Sequence, residues 1–153
     1  MKVILGADKG GFSLKEAVKA ALTTKGYEVY DTTPEAVFFA EAAKYVASGV
    51  QSGEFSRGIV FCGTGMGVSI IANKHRGVYA ALCESVYQAR RSKVVNNTNV
   101  LCLGGMIIGN AMGIEMAVAW LEAEHLQGMD EKVAQNVYKE FKALEDFEDT
   151  VYK

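Results

Sequence analysis

The residues best equipped for chemistry lie in Phe61-Cys62-Gly63-Thr64-Gly65-Met66-Gly67-Val68-Ser69, where an apolar run ends in a cysteine and three alternating glycines lead into a helical pattern. Glycines let the backbone turn sharply and bring its amides close to a ligand. Free N–H groups at a helix start favour negative charge, so the segment suits a phosphate, an oxyanion, or the thiolate of Cys62 acting as base or nucleophile. The spacing Gly63, Gly65, Gly67 does not match G-x-G-x-x-G, and no Gly-Lys-Ser/Thr follows, which removes the dinucleotide and P-loop readings. A second cluster, Gly6-Ala7-Asp8-Lys9-Gly10-Gly11, places an acid and a base after another apolar run. Asp8 can hold a sugar hydroxyl and Lys9 a phosphate, or the segment is a solvated turn. A third, Asn96-Asn97-Thr98-Asn99, offers amides just before an apolar run, with turn formation as the alternative.

Other chemistries find less support. The two histidines, His75 and His125, lie beside no nucleophile elbow, which argues against a Ser/His/Asp triad. The three cysteines are an odd number without metal-ligand spacing, so neither a disulfide framework nor a zinc site is expected. Cys83 and Cys102, each within an apolar run, read as small core residues and reduced thiols.

Alternating elements must position these groups. Lys2 to Leu5 reads as a buried strand, and Ser13 with Glu16 as a capping box that opens a helix stopped by Gly26. Strands follow at Tyr27–Asp31, Gly58–Phe61, Val78–Leu82 and Val100–Leu103, with helices over about 35–52, 65–75, 85–95 and 110–124. Such alternation predicts an α/β fold, a Rossmann-like doubly wound five-stranded parallel sheet that binds ligands outside the carboxyl ends of its strands. From Glu131 to Glu148, Val133, Val137, Phe141, Leu144 and Phe147 recur at helical spacing on a charged background. This amphipathic helix packs on its own sheet or lies across a partner subunit. The expected organisation is a Rossmann-like domain over 1–128 with a C-terminal helical extension of the same domain over 129–153.

With 153 residues, half of them apolar, one core suffices without staples. The charge of -2 and the scattered basic residues argue against nucleic acid or a polybasic membrane anchor, and no apolar run approaches the ~20 residues of a spanning helix. The N-terminus lacks the apolar region of a signal peptide, and a cytoplasmic location is expected.

Three motifs in order carry a resemblance: Gly-Ala-Asp-Lys-Gly-Gly-Phe from Gly6, Cys62-Gly-Thr-Gly-Met-Gly-Val-Ser-Ile with Ala72-Asn73-Lys74, and Asn96-Asn97-Thr98-Asn99-Val-Leu-Cys-Leu-Gly104. Over residues 1 to about 125 the chain resembles the ribose-5-phosphate isomerase B and galactose-6-phosphate isomerase family. The resemblance implies an aldose–ketose isomerase of a small sugar phosphate, without cofactor or metal, working as a homodimer or homotetramer with sites shared across the interface. It makes Cys62 the base that moves a proton between C1 and C2 through an enediolate. The resemblance further gives Asn96 and the amides of Gly63 to Gly67 the oxyanion, and Thr64 and Asp8 the hydroxyl groups. Gly63, Gly65, Gly67, Ser69, Lys9 and Asn97 are then substrate-binding residues.

Departures from the family pattern bear on the substrate. Ribose isomerases of this family carry a ring-opening histidine directly before the asparagine that matches Asn96; here that residue is Val95. The arginines of the usual phosphate clamp meet Met106, Asp130 and Ala134, leaving Lys9 to replace part of it as a point charge, with Lys132, Arg90, Arg91, His75 or Arg76 as further contributors to the phosphate. A tetrose 4-phosphate cannot close a furanose ring and needs no ring opener, and the family's tetrulose-phosphate isomerases share a non-histidine followed by Asn-Asn. The favoured pair is therefore D-erythrulose 4-phosphate and D-erythrose 4-phosphate. Alternatives are the ribose 5-phosphate/ribulose 5-phosphate pair, galactose 6-phosphate, an unphosphorylated sugar, or a sugar-phosphate-binding or regulatory subunit without turnover.

Overall fold

Five apolar runs become five parallel strands in the computed structural model, which describes residues 1–152: β1 (Lys2–Ala7), β2 (Glu28–Asp31), β3 (Arg57–Cys62), β4 (Ala80–Leu82) and β5 (Val100–Gly104). The order across the sheet is β2-β1-β3-β5-β4. The inner strands β3 and β5 are buried along their whole length, and β1 is buried after Lys2, as expected for a parallel sheet covered on both faces. Helices α1 (Phe12–Thr24), α4 (Val86–Asn96) and α5 (Asn110–Leu121) cover one face; α2 (Phe39–Gln51) and α3 (Met66–Ala72) cover the other. Strand residues divide between the two cores with a period of two. Leu5, Ile59, Phe61, Leu101 and Leu103 meet α1 and α5, while Ile4, Val60, Cys62, Val100 and Cys102 meet α2 and α3.

Several boundaries differ from the sequence reading, each for a tertiary reason. Helix α1 begins at Phe12 with Gly11 as its cap, so Ser13 lies inside the first turn and caps nothing. A β-carbon on Gly11 would come within 2.5 Å of the Phe61 carbonyl carbon, and this close approach fixes where the helix starts. Helix α2 begins at Phe39 because the preceding segment runs extended beside β1, with Val37 paired to Asp8. Strand β4 begins at Ala80 rather than Val78, and Cys83 sits just past its end, donating its backbone N–H to the Cys102 carbonyl. The side chain of Asn73 stitches α3 to this edge, accepting from the Ala80 amide at 2.9 Å and donating to the Ala80 carbonyl at 2.9 Å.

The last helix, α6 (Glu131–Val151), is capped by Asp130, whose carboxylate accepts from Val133 N at 3.0 Å. Phe141 is buried, edge-on to Tyr79 and His125. Further along, Glu148 accepts from Gly77 N at 2.7 Å and from the Tyr79 hydroxyl at 3.0 Å, and Arg76 pairs with Asp149. Burial, reinforced by the Glu148 carboxylate, pushes the Tyr79 phenol well above its ordinary range. The helix therefore docks one side on its own chain while Phe147 and Val151 stay exposed. Among the described residues no helix is long and apolar enough to cross a membrane.

At the opposite edge of the sheet from the strands' carboxyl ends, the Lys93 ammonium is buried and donates to Asn97 Oδ1 at 2.5 Å. Burial, aided by the nearby Arg57 and opposed by Glu124, lowers its pKa to about 8. The unfolded chain holds this proton up to about pH 10.4. The folded state therefore gives it up first, and this group makes stability rise between roughly pH 8 and 10. We expect Lys93→Met to lose that rise relative to wild type when urea midpoints are measured across the window; an equally steep climb in the variant would contradict the assignment.

Candidate active site

Strands β1, β3 and β5 are neighbours, and their carboxyl ends converge through backbone contacts. Asp8 N–H donates to the Phe61 carbonyl at 3.1 Å, Gly105 N–H to the Cys62 carbonyl at 2.8 Å, and Met106 N–H to the Gly63 carbonyl at 2.9 Å. No side chain fits between the three loops. A β-carbon on Gly10 would lie 2.8 Å from Gly63 Cα, and one on Gly105 would lie 2.5 Å from the Gly10 carbonyl oxygen.

Cys62 is the last residue of β3 and is 5% exposed. Its Sγ accepts the Gly65 N–H at 3.1 Å. Gly65 reaches this position in the left-handed region, at φ 77°, immediately before α3. Thr64 Oγ1 accepts from Met66 N at 3.3 Å. Gly67 lies under the Phe39 ring, where a β-carbon would come within 3.0 Å of the ring carbons. Ser69 turns its hydroxyl to its own helix, donating to the Met66 carbonyl at 2.8 Å. Asp8 closes its turn by accepting from Gly11 N at 3.0 Å, and Lys9 beside it is exposed. Met106 lies over Gly63 and is 75% exposed.

The structure thus brings Asp8, Lys9 and Cys62 to Gly65 together on one rim. It does not bring Asn96 and Asn97 there. Both precede β5, and the next residues pair with the start of β3, where Gly58 N–H donates to the Asn99 carbonyl at 2.9 Å. Cys62 lies four register steps away, opposite Gly104, which is about 13 Å along the strands. Asn97 caps α4 at φ 50°, with its side chain engaged by Lys93. Asn96 lines a shallow groove beside β4 with Leu82, Tyr87 and Arg91.

Two supporting residues escaped the sequence reading. Thr33 Oγ1 accepts from Ala7 N at 2.8 Å, and Lys15 is wholly buried beneath the same loop. Lys15 precedes Val18 and Leu22 by three and seven residues, so its place on the buried stripe of α1 is the signal that could have found it.

A thiol with an amide donor on its sulfur, a neighbouring carboxylate and a hydroxyl, all at the carboxyl edge of a parallel sheet, equip an enzyme to move a proton next to a carbonyl. Enzymes of this class are intramolecular oxidoreductases, interconverting aldoses and ketoses. Residues 3–137 match the family described as Ribose/Galactose Isomerase, and the chain belongs to that family of aldose–ketose isomerases. It is 50% identical over 135 residues to 4-deoxy-4-sulfo-D-erythrose isomerase of Clostridium sp. (strain MSTE9), covering 86% of this chain and 85% of that protein. It is 38% identical to D-erythrulose-4-phosphate isomerase of Pectobacterium atrosepticum, covering 81% and 84%. Its fold is similar to that of ribose-5-phosphate isomerase B from Clostridium thermocellum, with a TM-score of 0.89, 36% identity and 99% of each chain covered.

Gly65 offers a test of the thiol's surroundings. Alanine there would keep a strained positive φ and push its β-carbon to 2.5 Å from Leu82 Cδ1, displacing the N–H that faces Cys62. We expect Gly65→Ala to stay folded by circular dichroism and to lose about 10²–10³ in kcat, the cost of losing one preorganised donor. A folded variant with wild-type kcat would show that this donor is dispensable.

Proposed function

We propose that this enzyme interconverts 4-deoxy-4-sulfo-D-erythrose and 4-deoxy-4-sulfo-D-erythrulose, a four-carbon aldose–ketose pair with a sulfonate on C4. The observation that carries the reading is the charge of the rim. Within one chain, the loops after the five strands, residues 8–11, 32–38, 63–65, 83–85 and 105–109, hold one cation, Lys9, against the carboxylates of Asp8, Glu35 and Glu84. A sulfonate carries a single negative charge, whereas a phosphate monoester approaches two near neutral pH and calls for more cations. The 50% identical relative bears the name of the same sulfonated sugar. D-erythrulose 4-phosphate and D-erythrose 4-phosphate are the second reading, favoured by the 38% identical relative of that name.

Both pairs share the property that matters at Val95. In the sulfonate, C4 bears sulfur in place of a hydroxyl; in the phosphate, that oxygen is esterified. Neither can close a furanose, so the enzyme meets an open-chain carbonyl and requires no acid–base group for ring opening. The Cys62 thiolate takes the proton from C2 of the aldose, leaving an enediolate; the hydroxyl proton passes from O2 to O1, and the same thiol, after exchange with solvent in part of the turnovers, delivers a proton to C1 to give the ketose. Loop amides from Gly63 to Gly67 hold the oxyanion more tightly than the carbonyl it came from, which is what lowers the barrier. Thr64 and Asp8 hold the sugar hydroxyls, and Lys9 faces the terminal anion.

Asn96 reaches this site from a second copy of the chain, since its own Cys62 lies at the other edge of the sheet. The exposed apolar side chains of Phe38, Met66, Ile70, Met106 and Ile107 support an interface beside the site.

Purified enzyme is expected to show a kcat/KM for 4-deoxy-4-sulfo-D-erythrulose at least tenfold above that for D-erythrulose 4-phosphate, and both well above that for D-ribulose 5-phosphate. Preference for the tetrulose phosphate would transfer the assignment to the second reading, and preference for ribulose 5-phosphate would overturn both. Mixing inactive Cys62→Ala and Asn96→Ala chains, after exchange of subunits, should restore about a quarter of wild-type activity if each site draws one residue from each copy of a dimer. No recovery would place both residues on one chain's site.

A further inference from the structure

We infer that Lys15 and Thr33 are positioning residues for Asp8. The inference rests on the role proposed above for Asp8 at a substrate hydroxyl. The Lys15 ammonium is 0% exposed. It donates to both Asp31 oxygens at 2.9 and 2.8 Å and to the Thr33 carbonyl at 2.6 Å, lies 2.9 Å from Glu16 Oε1, and sits 4.4 Å from the centre of the Phe12 ring. Asp31 in turn accepts from Thr33 N at 3.0 Å and from Lys19 Nζ at 2.7 Å. Thr33 is thereby gripped at its amide and its carbonyl, which aims its hydroxyl oxygen at a single target, the amide of Ala7, 2.8 Å away.

That amide is the last on β1 before Asp8, and β2 has no residue left to receive it. The β2 register ends with Asp31 opposite Leu5, and the next amide, Thr32 N–H, returns to the Leu5 carbonyl. Thr33 supplies with a side chain the acceptor that the sheet no longer offers, and the Val37 N–H donates to the Ala7 carbonyl at 3.4 Å on the same side. Asp8 therefore leaves the sheet at an angle set by a buried ammonium on α1, while its own contact to Phe61 holds it against the Cys62 strand. A buried lysine is a costly way to hold a loop if only stability is needed, because an apolar side chain fills the same space without desolvating a charge. Its fixed set of acceptors orders the carbonyl and carboxylate that an apolar residue would leave free.

The experiment is a double-mutant cycle between Thr33→Val and Asp8→Asn, read as kcat/KM on the preferred substrate, with Thr33→Ser as the conservative control. Thr33→Val preserves shape and leaves the Lys15–Asp31 pair intact, so the chain is expected to fold. It should lose about ten- to a hundredfold in kcat/KM, the cost of a misplaced contact group, and Thr33→Ser should recover most of it. In the Asp8→Asn background Thr33→Val should cost less than about threefold, because the group it positions is already disabled. Lys15→Met should reproduce the Thr33→Val loss if it folds. Full and equal losses from Thr33→Val in both backgrounds, or none in either, would overturn the inference. An Asp8→Asn variant as active as wild type would instead remove the proposed role of Asp8, a failure visible before the cycle is closed.

Discussion

The close approach of Gly10, Gly63 and Gly105 is the constraint on which the rest of the site depends. Each contact leaves no room for a β-carbon, so three loops from three adjacent strands pack backbone to backbone. This brings the Asp8 turn against the strand that ends in Cys62, and the amide of Met106 onto the carbonyl of Gly63. A sheet in any other order would separate these ends. With β1, β3 and β5 side by side, the crossovers deliver the carboxylate, the thiol and the apolar cover to one place.

Much of this was legible in the residues themselves. Near-continuous apolar runs such as Ile59-Val60-Phe61 mark strands buried on both faces, and the alternation with amphipathic helices leaves few topologies open. The Cys62 loop was visible because three glycines beside a strand end have few structural uses. Ser13 misled as a cap because the signal that won, the contact of Gly11 with Phe61, is tertiary. Lys15 was hidden because a lysine on an apolar stripe looks like an exception until its acceptors, drawn from a segment sixteen and more residues away, are seen. The place of Asn96 was implicit in the pattern. Residues that precede a parallel strand lie at its amino edge, whereas residues that follow one, as Gly63 follows Cys62, lie at its carboxyl edge. Sequence motifs shared with a family do not say that two of them meet within one copy.

Charge and substrate chemistry are linked by what the rim lacks. Within one chain, one lysine among three carboxylates is a weak field for a phosphate, and Val95 offers no proton where ring opening would need one. Both features suit a short open-chain sugar whose terminal anion is singly charged. In the proposed reaction, a second copy covering the apolar side chains around the rim, Met106 foremost, would exclude water around the enediolate and strengthen every amide contact to it. The buried Lys15 acts at longer range, holding the first loop by a chain of fixed contacts rather than by touching the substrate.

The central claim is that Cys62 moves the proton between the two carbons. Enzyme incubated with substrate in deuterium oxide tests it directly, with proton NMR following the carbon-bound hydrogens at C1 and C2. Wild-type enzyme should wash solvent deuterium into those positions as it turns over, while Cys62→Ala should bind the sugar with a Kd within severalfold of wild type and exchange nothing above background. Exchange by the Cys62→Ala variant at the wild-type rate would contradict the account and assign the base elsewhere.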